Sequence, residues 1–212
     1  MASVKRVAAR HARGSVLAFA GLAAIVVRPG HGSIGRLDQV VIRLVAENGR
    51  NPAAVRTARA VSSLGEPGFV LIPIAAATAI AVRRVGWRQA CVPGITVATG
   101  AAVRRILSQA IARPRPPEAI WLTEPEGFSM PSKHTSLAVL AAGACASCTA
   151  AGNLVRRGVP LLVAACVGSS RIYLGVHWPS DVLAAWLFAE GWLQPAEAAS
   201  AASTAPAKSG RP

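Results

Sequence analysis

Residues 169–181 read SSRIYLGVHWPSD. Within strongly apolar surroundings this stretch sets a guanidinium at Arg171, an imidazole at His177 and a carboxylate at Asp181. Charged groups in such a setting are costly, which makes them functional candidates by default. Pro179 is tolerated in the first turn of a helix, so a helix can begin between His177 and Asp181. Asp181 can then reach back to His177, fix its tautomer and stabilise its cationic form. That is the arrangement by which a base is oriented for nucleophilic work.

The surroundings define the class of protein. The chain has 212 residues, of which 52% are hydrophobic and 15% charged, and its mean hydropathy is +0.42. That is too apolar for an ordinary soluble domain and points to a membrane bilayer. The formal charge is +14. Its basic residues bracket apolar runs and form no single stripe, so nucleic acid is not the expected partner; anionic lipid or an anionic substrate is. Cys91, Cys145, Cys148 and Cys166 all fall in apolar runs and read as small buried hydrophobes.

Six apolar stretches predict an all-α, polytopic membrane bundle of about six transmembrane helices. The first, Ser15 to Val27, follows a basic leader with Lys5, Arg6, Arg10 and Arg13. A signal peptide has the same outline, but no small-residue cleavage site precedes Arg28, which favours a retained helix. The others are Pro67 to Val82, Gln89 to Leu107, Thr135 to Gly152, Val159 to Leu174 and Pro179 to Leu193. Between the first two, Leu37, Val40, Val41, Leu44 and Val45 follow helical spacing among charges, as in an amphipathic segment lying at the interface. The expected organisation is a basic cytoplasmic N-terminus over 1–13, a membrane domain over 14–193 and a disordered tail over 194–212.

Arginine-bearing loops at Arg83, Arg84 and Arg88, and at Arg156 and Arg157, would share the cytoplasmic side with the leader. Three chemistry-bearing pieces then meet on the opposite, extracytoplasmic face of the cell (inner) membrane. They are ARPRPPE with Arg113 and Arg115, MPSKHTS with Ser132, Lys133 and His134, and the opening stretch. Two histidines with different partners suit a nucleophile and a general acid. Arginine forks suit the equatorial oxygens of a transferring phosphoryl group, so Arg115 and Arg171 could clamp them. The Ser132 hydroxyl and nearby backbone N–H groups could add donors. With nine acidic residues in the whole chain and no clustered carboxylates in these motifs, no metal and no other cofactor is expected.

These pieces resemble the signature of the type 2 phosphatidic acid phosphatase family of integral membrane lipid phosphatases: Lys-x6-Arg-Pro, Pro-Ser-Gly-His and Ser-Arg-x5-His-x3-Asp. Ser170, Arg171, His177 and Asp181 match the third part fully. Pro131, Ser132 and His134 match the second, and Arg115 and Pro116 the first. The resemblance implies that His177 attacks phosphorus to form a phosphohistidine and that Asp181 orients it. It further implies that His134 protonates the leaving oxygen and then activates water, while Arg115, Ser132 and Arg171 hold the phosphate. Candidate substrates are a polyprenyl diphosphate such as undecaprenyl diphosphate, phosphatidic acid, phosphatidylglycerol phosphate and a polyprenyl-phosphosugar phosphate.

Two positions depart from the signature. The family's lysine falls at Ser108 and its glycine at Lys133. Lys133, or Arg104 and Arg105 one helical turn before Ser108, would supply the missing cation. The alternative function is a decayed, non-enzymatic protein that binds anionic lipid headgroups. Nothing in the sequence specifies an oligomeric state.

Overall fold

A computed structural model describes residues 2–27, 32–47, 51–147 and 152–203. Cys148 and the residues after Ser203 lie outside this set. The elements are α1 (Ala2–Val26), α2 (Gly32–Glu47), α3 (Pro52–Ser63), α4 (Pro67–Val85), α5 (Trp87–Ala90), α6 (Val92–Ile111), α7 (Lys133–Ser147), α8 (Asn153–Tyr173) and α9 (Pro179–Ser203), with one 3-10 turn at Glu118–Ile120. The described residues form no strand, so the all-α expectation holds.

Local chemistry sets several helix starts. Asn51 Oδ1 accepts the Ala53 N–H at 2.9 Å and Pro52 occupies the first turn of α3. Pro67 and Pro179 open α4 and α9 in the same way, so the helix start expected between His177 and Asp181 is present.

The core is built around α7, which packs against α4, α6, α8 and α9. Its residues Leu137, Val139, Leu140, Ala141 and Ala144 meet Ala184, Phe188, Ala189 and Leu193 of α9. The helix α1 lies along α9. There Ser15 Oγ donates to the Gly191 carbonyl at 2.9 Å.

Outside this core the polarity is reversed from that of a water-soluble domain. Leu71 and Ile72 of α4, Ile106 of α6 and Leu162 of α8 are each more than half exposed. In α2, Leu37, Val40 and Leu44 point outward while Asp38 is buried. Apolar faces this extensive fit a lipid surround.

Among the described residues the six apolar stretches are mainly helical; the third is broken at Cys91, and residues 148–151 of the fourth lie outside the described set. Length and apolarity alone single out one span among the described residues, Trp87–Ile111. The pair Pro52–Ser63 and Pro67–Arg83, bent by 48°, also passes when taken together. The reason is visible in the sequence: α8 carries Arg156, Arg157 and Arg171, α9 carries Asp181 and Glu190, and α7 has 15 residues. At the ends, the basic leader is continuous with α1, and α9 runs past Gln194 through Pro195 to Ser203, into the stretch expected as a tail.

Two glycines bring separate pieces together. A Cβ on Gly65, at the α3–α4 junction, would overlap the backbone of His134. Gly175, with φ +73°, sits against the Ile120 carbonyl just before His177. Backbone atoms cannot swing aside as a side chain can. Gly65→Ala is therefore expected to cost about 1–3 kcal/mol and to displace His134. Thermal unfolding in detergent should show a lowered Tm, and phosphatase activity should fall with it.

Candidate active site

The three pieces anticipated from sequence converge. The 112–132 connection carries Arg113 and Arg115, the start of α7 carries His134, and the α8–α9 junction carries Arg171, His177 and Asp181. His177 and Asp181 are fully buried. His177 Nδ1 lies 3.3 Å from Asp181 Oδ2, and the Trp178 N–H donates to that same oxygen at 2.9 Å.

On the other side of the ring, Arg115 Nη1 donates to His177 Nε2 at 3.1 Å. A guanidinium can only donate, so Nε2 must offer its lone pair and Nδ1 must carry the hydrogen. The carboxylate fixes that tautomer. Nε2 is thus the free base of the pair and faces a cation, as a nucleophile for an anionic phosphoryl group requires.

Arg115 is itself held rigidly. It donates to the carbonyls of Glu126, Gly127, Phe128 and Val176 at 2.7, 2.8, 3.0 and 2.8 Å. Burial pushes its guanidinium down to about 10; Asp181 pulls it up and Arg104 pushes it further down.

The second imidazole has a partner that sequence reading missed. Glu66, the N-cap residue of α4, places Oε1 2.5 Å from His134 Nε2. A carboxylate accepts, so His134 Nε2 carries a hydrogen there. No motif marked Glu66, because it sits far from the signature in sequence. Arg171 is buried, and its Nη1 donates to Ser62 Oγ at 2.8 Å, while its Nε has no hydrogen-bond partner among the described residues. A buried, incompletely satisfied guanidinium nitrogen suits an anion ligand.

Ser132 is buried as well. Its N–H donates to the Asp181 carbonyl at 3.3 Å and its hydroxyl accepts from Thr135 at 3.1 Å, which braces the start of α7 against the start of α9. Of the candidate substitute cations, Arg104 turns inward: Nη1 donates to the Pro131 carbonyl at 3.3 Å, beside the second motif. Arg105 is exposed. Lys133 Nζ is taken up by Glu126 Oε2 at 2.9 Å on the outer side of the site. Ser108 is buried in α6, its carbonyl accepting the Ala112 N–H at 3.0 Å.

Arg113 was singled out by sequence only as part of the first piece. In the structure it lies behind Asp181. Nη1 donates to Asp181 Oδ1 at 2.5 Å and Nη2 to Asp38 Oδ2 at 2.7 Å. Asp38 also accepts from Ser180, through its N–H at 2.9 Å and its hydroxyl at 2.5 Å. A single buried Asp in an amphipathic helix was the available signal for Asp38; a polar residue at a position that turns inward needs a partner.

The PAP2 superfamily description matches residues 89–196. The decaprenylphosphoryl-5-phosphoribose phosphatase of Mycobacterium tuberculosis is 29% identical over 140 residues, covering 62% of this chain and 72% of that protein. The protein of the same name from Mycolicibacterium smegmatis is 31% identical over 151 residues, covering 69% and 79%. The crystal structure of a transmembrane PAP2-type phosphatidylglycerolphosphate phosphatase from Bacillus subtilis superposes with a TM-score of 0.77 at 22% identity, covering 91% of this chain and 98% of that one. The chain belongs to the PAP2 superfamily. It is a phosphatase.

Burial pushes the His177 imidazole from 6.5 down to about 4, against the pull of Asp181 and with a further push from Arg115 and Arg171. Above pH 6.5 the folded and unfolded states both hold it neutral. Between pH 6.5 and about 4 only the unfolded state takes up the proton, so stability falls as pH falls through that window, by about 3 kcal/mol in total. The Tm measured across this range should drop less steeply in His177→Gln than in the parent protein.

Proposed function

We propose that this phosphatase hydrolyses a phosphate monoester on a membrane-lipid headgroup through a phosphohistidine at His177. The observation that carries this reading is the tautomer: Asp181 holds the Nδ1 hydrogen and leaves the Nε2 lone pair facing the Arg115 cation. Nε2 attacks phosphorus while the bond to the leaving oxygen breaks. His134 enters this step as the imidazolium paired with Glu66, gives that oxygen a proton and is left neutral. In the second step His134 takes a proton from water, the water oxygen bonds to phosphorus, and the phosphorus–nitrogen bond breaks. Asp181 balances the positive charge on the phosphorylated ring.

Arg171 and donors near Ser132 hold the equatorial oxygens, and Arg115 joins them with the Nη1 hydrogen that it releases from His177 Nε2. Arg104 takes the place of the family lysine absent at Ser108, because it is the cation that turns toward the second motif and acts on Arg115. Lys133 serves instead to pin the 112–132 connection through Glu126. Guanidinium charge of this kind can carry the transition state without a metal.

The relatives' names favour a polyprenylphosphoryl-5-phosphoribose among the substrates considered, a phosphosugar phosphate on a polyprenyl tail. The catalytic domain over 14–193 is read as a polytopic bundle of six membrane helices in the cell membrane. The outward apolar side chains of α2, α4, α6 and α8 support that reading. So does the gathering of the site at the connections between helices, which suits the extracytoplasmic membrane face.

Phosphate release from a panel of lipid phosphates, measured in detergent with EDTA present, tests the reading. The parent protein should release phosphate, fastest from the phosphosugar lipid, and His177→Ala should lose about 10³-fold or more. Release that persists in His177→Ala, or that stops with EDTA, would contradict it. In the same assay Arg104→Ala should lower kcat/KM by about 10-fold or more and Lys133→Ala by less, since one cation faces the phosphate site and the other an exposed carboxylate.

A further inference from the structure

We propose that Asp38 is a positioning residue for the phosphatase reaction, acting on His177 through Arg113 and Asp181. The inference rests on His177 as the nucleophile and goes beyond the family signature, since Asp38 lies on α2, far outside it in sequence.

Asp181 divides its two oxygens. Oδ2 serves His177 and the Trp178 N–H, and Oδ1 receives Arg113 at 2.5 Å. An arginine paired with Asp181 alone would neutralise it and weaken its hold on the Nδ1 hydrogen. Here the same guanidinium is shared with Asp38, whose carboxylate is 2% exposed. Two carboxylates around one guanidinium leave one negative charge in excess, deep in the protein and next to the ring. A phosphorylated imidazole that keeps its Nδ1 hydrogen carries one positive charge. The trio therefore holds in advance the charge that the covalent intermediate needs.

Geometry is fixed by the same contacts. Arg113 Nη1 donates to Ser180 Oγ at 2.7 Å, Ser180 Oγ donates to Asp38 Oδ2, and the Ser180 N–H donates to Asp38 Oδ1. The start of α9, which carries Asp181, is thereby tied to α2. The α2 helix presents Leu37, Val40 and Leu44 outward, so the helix read as resting on the lipid surface also orients the nucleophile's partner.

The test is a double-mutant cycle on purified, folded protein. Asp38→Asn should lower kcat by about 10- to 100-fold with KM little changed, because substrate contacts remain. In an Asp181→Asn background the same substitution should add no further loss. Multiplied losses in the double variant, or a loss seen only in KM, would overturn the proposal. So would full activity in Asp38→Asn. Should Asp38→Asn fail to fold, Ser180→Ala loosens Asp38 while keeping every charge, and it must show the same dependence on Asp181. A different result, activity that survives His177→Ala, would instead sink the reading of the nucleophile on which this one stands.

Discussion

The Asp181 carboxylate is the point on which the site depends. It is fully buried, and a buried carboxylate is costly unless each of its oxygens is paired. Arg113 pairs one oxygen; the Trp178 N–H and His177 pair the other. These contacts hold the 112–132 connection, α2 and the start of α9 in one place. Removing Arg113 would leave the two carboxylates, Asp181 and Asp38, without their shared counter-charge. The orientation of His177, and through it the direction of the Nε2 lone pair, follows from this constraint.

The rest of the fold serves to bring distant charges to that point. The α7 helix is buried among α4, α6, α8 and α9, and its N-terminal turn carries His134. Gly65 lets the α3–α4 junction close onto His134, which delivers Glu66 to the imidazole. The carbonyls of residues 126–128 immobilise Arg115 before any substrate arrives. A preorganised cation costs no reorganisation when charge develops on the transferring phosphoryl group. The two histidines are thus given opposite tasks by their partners, one accepting from a guanidinium and one donating to a carboxylate.

Much of this was legible in the sequence. The apolar stretches fixed the helices, and the spacing of His177, Pro179 and Asp181 fixed the helix start and the pairing. What escaped were partners that lie far apart along the chain. Asp38 and Glu66 belong to no local pattern; only the folded backbone sets them beside Arg113 and His134. Lys133 and Arg104 were equal candidates by position, and side-chain direction separated them, one toward Glu126 and one toward Pro131. The end of α9 also differs from the expectation, since the helix continues to Ser203.

The most direct measurement is to trap the covalent intermediate. In the proposed mechanism His134 serves both steps, so a substrate whose leaving oxygen needs no proton, such as p-nitrophenyl phosphate, should let His134→Ala form the phosphohistidine and slow only its hydrolysis. After incubation of this variant with p-nitrophenyl phosphate and quenching in base, which preserves a phosphorus–nitrogen bond, peptide mass spectrometry should locate one phosphoryl group on His177. A protein that turns over substrate yet carries no phosphoryl group on His177, or carries it on another residue, would contradict the account.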